Sequence, residues 1–253
     1  MSFFGFGKKP TNEAPSNGVS LNLTKEEKIT QLNLRKDKIQ GLCMEKRELN
    51  GLTARVAVVL DYSGSMSSLY RDGTVQGVIE RLLPIAMQFD DNGEMEAWIF
   101  ENGFHRLPEI SLRNFDTYVQ QEITDRGYMM GGTQYAPVMR DIAKKYLQED
   151  RADIPTLILF ITDGDNFSED KPVTDKVIRE LSDKGIFWQF VGIGDARFSY
   201  LEKLDNLSGR VIDNANFFAV RDYRSISDDE LYSLLLQEYP SWIAQARSHG
   251  IIH

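Results

Sequence analysis

The sequence is poor in several of the residues that most often carry chemistry. It holds one cysteine, Cys43, in 253 residues. No intramolecular disulfide can form, no dithiol cycle can run, and no zinc cluster can be built on thiolates. Three histidines, His105, His249 and His253, are too scattered to suggest a histidine-rich metal centre. Basic residues are outnumbered, 29 Lys and Arg against 38 Asp and Glu, for a net charge of −9. That balance argues against a nucleic-acid partner, whose phosphates require a basic surface, and against docking on anionic lipid. No apolar run approaches the roughly 20 residues of a membrane span. The start, Met1-Ser-Phe-Phe-Gly-Phe-Gly-Lys-Lys9, has its charges after the apolar residues and lacks a long hydrophobic stretch, so it does not read as a signal peptide. Ser2 stands where N-myristoylation needs glycine. The expectation is a cytoplasmic protein, in which the glycosylation triplets at Asn22, Asn166 and Asn206 are chance matches. No Gly-x-Ser-x-Gly elbow and no phosphate-binding loop is present.

What is present is an ordinary globular composition, 42% hydrophobic and 26% charged, long enough for one sizeable α/β core. Residues 1–18, rich in Gly, Pro, Asn and Lys, read as a disordered tail. Residues 19–50 form an N-terminal extension with conflicting signals. Thr24 and Glu27 are spaced as a capping box, and Ile29, Leu32 and Ile39 loosely share a helical face. Ser20-Leu-Asn-Leu23, Gln31-Leu-Asn-Leu34 and Gln40-Gly-Leu-Cys-Met44 alternate like strands, and Gly41 is expected to break any helix. Mixed structure is the expectation there.

From Arg55 the pattern clears. Arg55-Val-Ala-Val-Val-Leu60 is too short for a helix and rich in valine, which predicts a buried strand. Further strands are predicted at Glu94–Phe100, Gly103–Leu107 (short, at an edge), Thr156–Ile161, Ile186–Val191 and 216–220. Between them, i, i+3, i+4 spacing predicts helices near 74–89, 114–123, 135–148, from Pro172 to Gly185, near 198–206, and from Ser227 to a stop at Pro240. Residues 240–253 read as an amphipathic tail in which Trp242 and Ile243 lie back on the body. Continuous apolar strands alternating with helices mean a mostly parallel sheet covered on both faces. Such sheets bind ligands beyond the C-terminal ends of their strands, where the strand order switches.

The strand over 55–61 ends in Asp61-Tyr-Ser-Gly-Ser-Met66. One carboxylate and two hydroxyls, at Asp61, Ser63 and Ser65, lie along one tight loop, and oxygen ligands suit a hard divalent cation. Gly131-Gly-Thr133 and Thr162-Asp163-Gly164 are placed to complete the set. Asp-x-Ser-x-Ser, then Gly-Gly-Thr, then Thr-Asp-Gly, in that order, resembles the von Willebrand factor A (vWA) domain over residues 51–239. A closer resemblance is to bacterial cytoplasmic vWA proteins associated with tellurium resistance, the TerF type, and to the copine A-domain. It is carried by Ala54–Asp61, by Gly131-Gly-Thr-Gln-Tyr-Ala-Pro-Val-Met139 and by Glu238-Tyr-Pro-Ser-Trp242.

The resemblance implies a Rossmann-like α/β fold: an open, mostly parallel six-stranded sheet with one antiparallel edge strand and helices on both faces. It implies a metal-ion-dependent adhesion site holding Mg²⁺, with Mn²⁺ or Ca²⁺ as alternatives, through Asp61, Ser63, Ser65, Thr133 and Asp163. It also implies an open coordination position for the Asp or Glu of a protein partner, in a tellurium-resistance or stress-response setting. Relatives of this type can carry a calcium-binding-like domain, of which no full copy is visible. Residues 19–50 are open to being a remnant of its final strands.

Around the motifs, Tyr62, Met66, Tyr128, Met130, Tyr135 and Asp165 are candidates for a partner-binding rim, with Tyr70 and Met129 nearby; some are expected to pack inward. A protein-binding module is therefore the leading reading and a non-enzyme the expectation. The alternative is a metal-dependent phosphohydrolase or nuclease. It needs a base beside the metal, and Asp163-Gly-Asp165 is its one paired-carboxylate candidate.

Overall fold

A computed structural model describes residues 23–253. The expected tail at 1–18 lies outside the described residues. Six strands, β1 (Arg55–Asp61), β2 (Met95–Phe100), β3 (Phe104–Ile110), β4 (Thr156–Thr162), β5 (Ile186–Ile193) and β6 (Ala215–Val220), form one sheet in the order β3-β2-β1-β4-β5-β6. Only β3 runs antiparallel, joined to β2 by a tight hairpin, and every other pairing is parallel. The expected sheet, with its single antiparallel edge, is what forms. The chain leaves β1 to build one half of the sheet and returns to its other side with β4. The switch in strand order thus falls between β1 and β4, where open sheets place their ligands.

Strand periodicity divides the interior in two. Val56, Val58 and Leu60 of β1, with Leu157, Leu159 and Ile161 of β4, face one core. Ala57 and Val59, with Ile158 and Phe160, face the other. The first core is covered by α1 (Lys25–Glu45), α3 (Thr74–Phe89), α7 (Asp228–Leu235) and α8 (Tyr239–Ser248). The second is covered by α4 (Ala136–Lys144), α5 (Lys171–Glu180) and α6 (Ser199–Asp205). A short α2 (Ser67–Arg71) follows the β1 loop. Each fully buried Val, Leu or Ile contributes about 1.5–3 kcal/mol, so two continuous cores fix the strand register that the loops beyond depend on.

Several expectations are corrected. Residues 25–45 form one unbroken helix rather than mixed structure or the last strands of another domain. The capping box is real: Glu27 N donates to Thr24 Oγ1 at 3.2 Å and Thr24 N donates to Glu27 Oε2 at 2.7 Å. Gly41 sits inside this helix on an open side, where it costs only about 1 kcal/mol against alanine. Only Leu32, Ile39 and Cys43 of α1 are buried. Partly buried Ile29 and Leu42 pack beside them, and ion pairs add to the docking: Lys28 to Glu80 at 2.8 Å, Arg35 to Asp228 at 3.0 Å and Lys38 to Asp229 at 2.7 Å. The helix predicted near 114–123 forms over its second half only, as a short wide-turn (π) helix over Val119–Ile123, while residues 114–117 are turn. Pro240 does not stop a helix; it stands in the first turn of α8, where its missing N–H is no loss. The last segment is a docked helix rather than a tail, and Trp242 and Ile243 lie back on the body as expected, buried in the first core with Tyr239 and Ala246.

Candidate metal centre

Register carries Asp61 and Asp163 to one place. Leu60 pairs with Ile161, which sets Asp61 at the level of Thr162 on the neighbouring strand. By strand parity both side chains point toward the second core, and both are fully buried. Thr162 Oγ1 donates to Asp61 Oδ2 at 2.6 Å, and Ser63 N donates to Asp61 Oδ1 at 2.8 Å. The loop after β1 turns the serines back over this carboxylate. Ser63 Oγ lies 3.0 Å from Ser65 Oγ, and Ser65 Oγ donates to Asp163 Oδ1 at 2.8 Å. Four of the five predicted residues therefore form two joined hydrogen-bonded strings at the ends of β1 and β4.

The fifth, Thr133, arrives on a separate loop that is clamped on both sides. Gly64 N donates to Gly131 O at 3.0 Å and Gly131 N to Tyr62 O at 3.3 Å, a short parallel bridge to the serine loop. On the other side Phe167 N donates to Thr133 O at 3.0 Å. Gly132 N donates to Asn102 Oδ1 at 3.1 Å, so the β2–β3 turn is a third support. Thr133 thus lies between the loop bearing the serines and the loop following Asp163.

The electrostatics are those of a cation site. Burial pushes the Asp61 carboxyl up to about 6, and the charge of Asp163 adds to the rise. Burial also raises Asp163, against the bond from Ser65. Among the described residues no Lys, Arg or His pairs with either group, although twenty ion pairs form elsewhere. Two converging carboxylates and two hydroxyls without a protein cation fit a hard divalent ion. Among the described residues no three His, Cys, Asp or Glu are grouped so as to hold a metal ion, so hydroxyls, backbone carbonyls or water would have to complete a coordination shell at Asp61 and Asp163.

The proposed rim is largely corrected. Tyr62, Met66 and Tyr135 are buried. Tyr62 still lies within the sheet's reach, its N–H donating to Phe100 O at 2.7 Å, so its ring turns into the first core and meets Tyr70 edge-on at 5.0 Å. Met66 packs into the same core. Tyr135 underlies the site: its hydroxyl contacts Thr162 Oγ1 at 3.3 Å and donates to Gly164 O. Tyr128 and Met130 are half-buried against the first core, and Tyr128 stacks on His105 at 4.4 Å. Asp165 is committed elsewhere, accepting from Lys171 Nζ at 3.0 Å and from Tyr200 N at 3.3 Å at the start of α6. The exposed large side chains beside the site are instead Met129 and Phe167.

Sequence reasoning passed over the supports. Thr162 holds Asp61, Tyr70 Oη donates to the Asp61 carbonyl at 2.9 Å, and Asn102 holds Gly132. Asp170, also buried, accepts from Tyr135 N at 2.6 Å and from Asn166 Nδ2 at 2.6 Å, capping the start of α4. The residue before Asp163 was a readable signal, since a hydroxyl there points the same way as the end of β1.

Sheet order, switch point and oxygen cluster together define a vWA-type domain, and comparison with known proteins gives the narrower assignment. Residues 53–252 match the vWA-TerF-like family, described as the vWA found in the TerF C terminus, and the chain belongs to that family. A relative from Bacillus subtilis (strain 168), the uncharacterized protein YcbR, is 46% identical over 226 residues, covering 88% of this chain and 91% of its own. Proximal thread matrix protein 1 of the mussel byssus superposes with a TM-score of 0.55 at 14% identity, over 73% of this chain and 47% of its own. The von Willebrand factor type A protein of Catenulispora acidiphila superposes with a TM-score of 0.51 at 17% identity, over 77% and 43%. The chain spans about half the length of these two solved chains, and the likeness to them concerns the fold.

Proposed function

We propose that this chain is a cation-dependent protein-binding module. Mg²⁺ is the expected ion, with Mn²⁺ or Ca²⁺ able to substitute, held by Asp61, Ser63, Ser65, Thr133 and Asp163. The observation that carries the reading is the pairing of a buried Asp61 with Asp163, joined by hydroxyls and, among the described residues, left without a Lys, Arg or His partner. A bound divalent ion supplies the missing positive charge and an acceptor position for an Asp or Glu of a partner. The chain's own residues hold that arrangement: Thr162 and Ser63 N orient Asp61, Ser65 orients Asp163, and the Gly131–Gly132 backbone positions Thr133. Because three of the five ligands are neutral hydroxyls, the ion keeps enough charge to attract a further carboxylate.

The family assignment supports a setting in tellurium resistance or a related stress response, inside the cell, with a protein as partner. Among the described residues no helix is long and apolar enough to cross a membrane. The hydrolytic alternative loses its main candidate, since Asp165 is paired with Lys171 and tied to α6 rather than free beside the cluster.

Titration of the full chain with Mg²⁺ tests the centre. One ion should bind per chain, and Asp61→Ala and Thr133→Val should abolish it while the circular dichroism spectrum stays unchanged. Capture of the partner from cell extract should then require Mg²⁺ and disappear in EDTA; capture that persists in EDTA contradicts the bridge. Metal-stimulated release of phosphate from model esters, lost in Asp61→Ala, would instead favour an enzyme.

A further inference from the structure

Phe167 is exposed yet held in place. The residue is 46% exposed, but its backbone is fixed at both ends: its N–H donates to Thr133 O at 3.0 Å, and its carbonyl accepts from Asp170 N at 3.0 Å and Lys171 N at 3.2 Å. The ring lies on Gly132. A Cβ at that position would stand 2.2 Å from Phe167 Cζ and 2.5 Å from Asn102 Oδ1. A real Cβ contact does not come that close, so the glycine before Thr133 clears room for this ring. Backbone freedom is not its purpose, since Gly132 is absent from the positive-φ glycines. A lone exposed apolar side chain is ordinary, but an aromatic ring held in place beside a binding site is suited to be an anchor, because aromatic side chains concentrate binding energy at interfaces. Met129, 84% exposed, stands on the same Thr133-bearing loop, three residues before Gly132.

The charges beside the ring narrow the partner further. Asn102, which meets the same Gly132 position, is neutral and bonded to the Gly132 N–H, the acidic Glu169 follows Phe167 by two residues, and Lys171 is held by Asp165. None of these three groups attracts a second acid next to the ligating one.

We propose that Phe167, with the exposed Met129 of the Thr133-bearing loop as a second apolar contact, is the apolar anchor of the partner site. The partner segment would present a single Asp or Glu to the cation, flanked by an aliphatic or aromatic side chain that packs on the exposed face of the Phe167 ring. This rests on the carboxylate-recruitment reading above, and it assigns the residue that chooses among acidic partners.

The test uses the full chain saturated with Mg²⁺ and two capped tripeptides, acetyl-Leu-Asp-Leu-amide and acetyl-Ser-Asp-Ser-amide, titrated by NMR. The leucine-flanked peptide should bind about tenfold more tightly, the order expected for one added apolar contact. Phe167→Ser should erase that preference, Phe167→Leu should retain most of it, and Mn²⁺ affinity measured by electron paramagnetic resonance should stay unchanged in both. Equal binding of the two peptides overturns the anchor while leaving carboxylate recruitment intact. A preference that survives in Phe167→Ser overturns it as well. Failure of both peptides to bind a protein that does bind Mn²⁺ removes carboxylate recruitment itself, and the anchor with it.

Discussion

Asp61 and Asp170 are both buried aspartates beside the same loops, and the chain treats them in opposite ways. Asp170 is saturated by donors: the backbone of Tyr135 and Ala136, the amide of Asn166 and the hydroxyl of Thr174. It sits at the N-terminus of α4, where the helix dipole favours negative charge. Asp61 receives one N–H and one hydroxyl, faces Asp163, and its carboxyl is pushed up to about 6. The first carboxylate is part of the architecture. The second is left short of positive charge, and such a deficit at a strand switch point marks where a ligand belongs.

Mutations separate the two. Asp170→Ala should cost the most, about 3 kcal/mol of unfolding free energy, because it strands several buried donors; urea denaturation should show this equally with and without Mg²⁺. Thr162→Val should cost about 1–2 kcal/mol in the metal-free protein, having removed the donor to Asp61. Asp61→Asn should change metal-free stability by less than about 1 kcal/mol, since it removes an uncompensated charge, yet abolish the stabilisation that saturating Mg²⁺ confers. Were Asp61→Asn to cost as much as Asp170→Ala, the distinction between the two would collapse. Ser65→Ala, at an exposed position, should shift metal-free stability by no more than about 0.5 kcal/mol while weakening Mg²⁺ binding in the same titration.

The oxygen cluster of Asp61, Ser63, Ser65 and Asp163 was readable because most of it is local. Asp61, Ser63 and Ser65 fall within five residues, and apolar strands before Asp61 and Asp163 announce their positions. The rim was not readable, because exposure of Tyr62, Met66 and Tyr135 depends on which face of the sheet each residue meets. Nothing near Phe167 in sequence reveals that its ring lies on Gly132. The first helix was obscured for a different reason. It buries three side chains of twenty-one and relies on Glu80, Asp228 and Asp229, so its amphipathic stripe is faint and its partners are distant in sequence. Pro240 was ambiguous in principle, since proline marks a helix's first turn as well as its end.

The switch between β1 and β4 has a consequence for how the molecule is made. Thr162 and Asp61 are 101 residues apart in the chain, and Ser65 and Asp163 are 98 apart. The whole of β2, β3 and the helices around them must be spun out before the two halves of the cation cage can meet. Contacts of such separation form late, because closing the loop is costly until the rest of the sheet rewards it. On the proposed reading, an ion would arrive at a finished frame rather than seed folding, and recruitment of a partner would wait for the central strand pair to close.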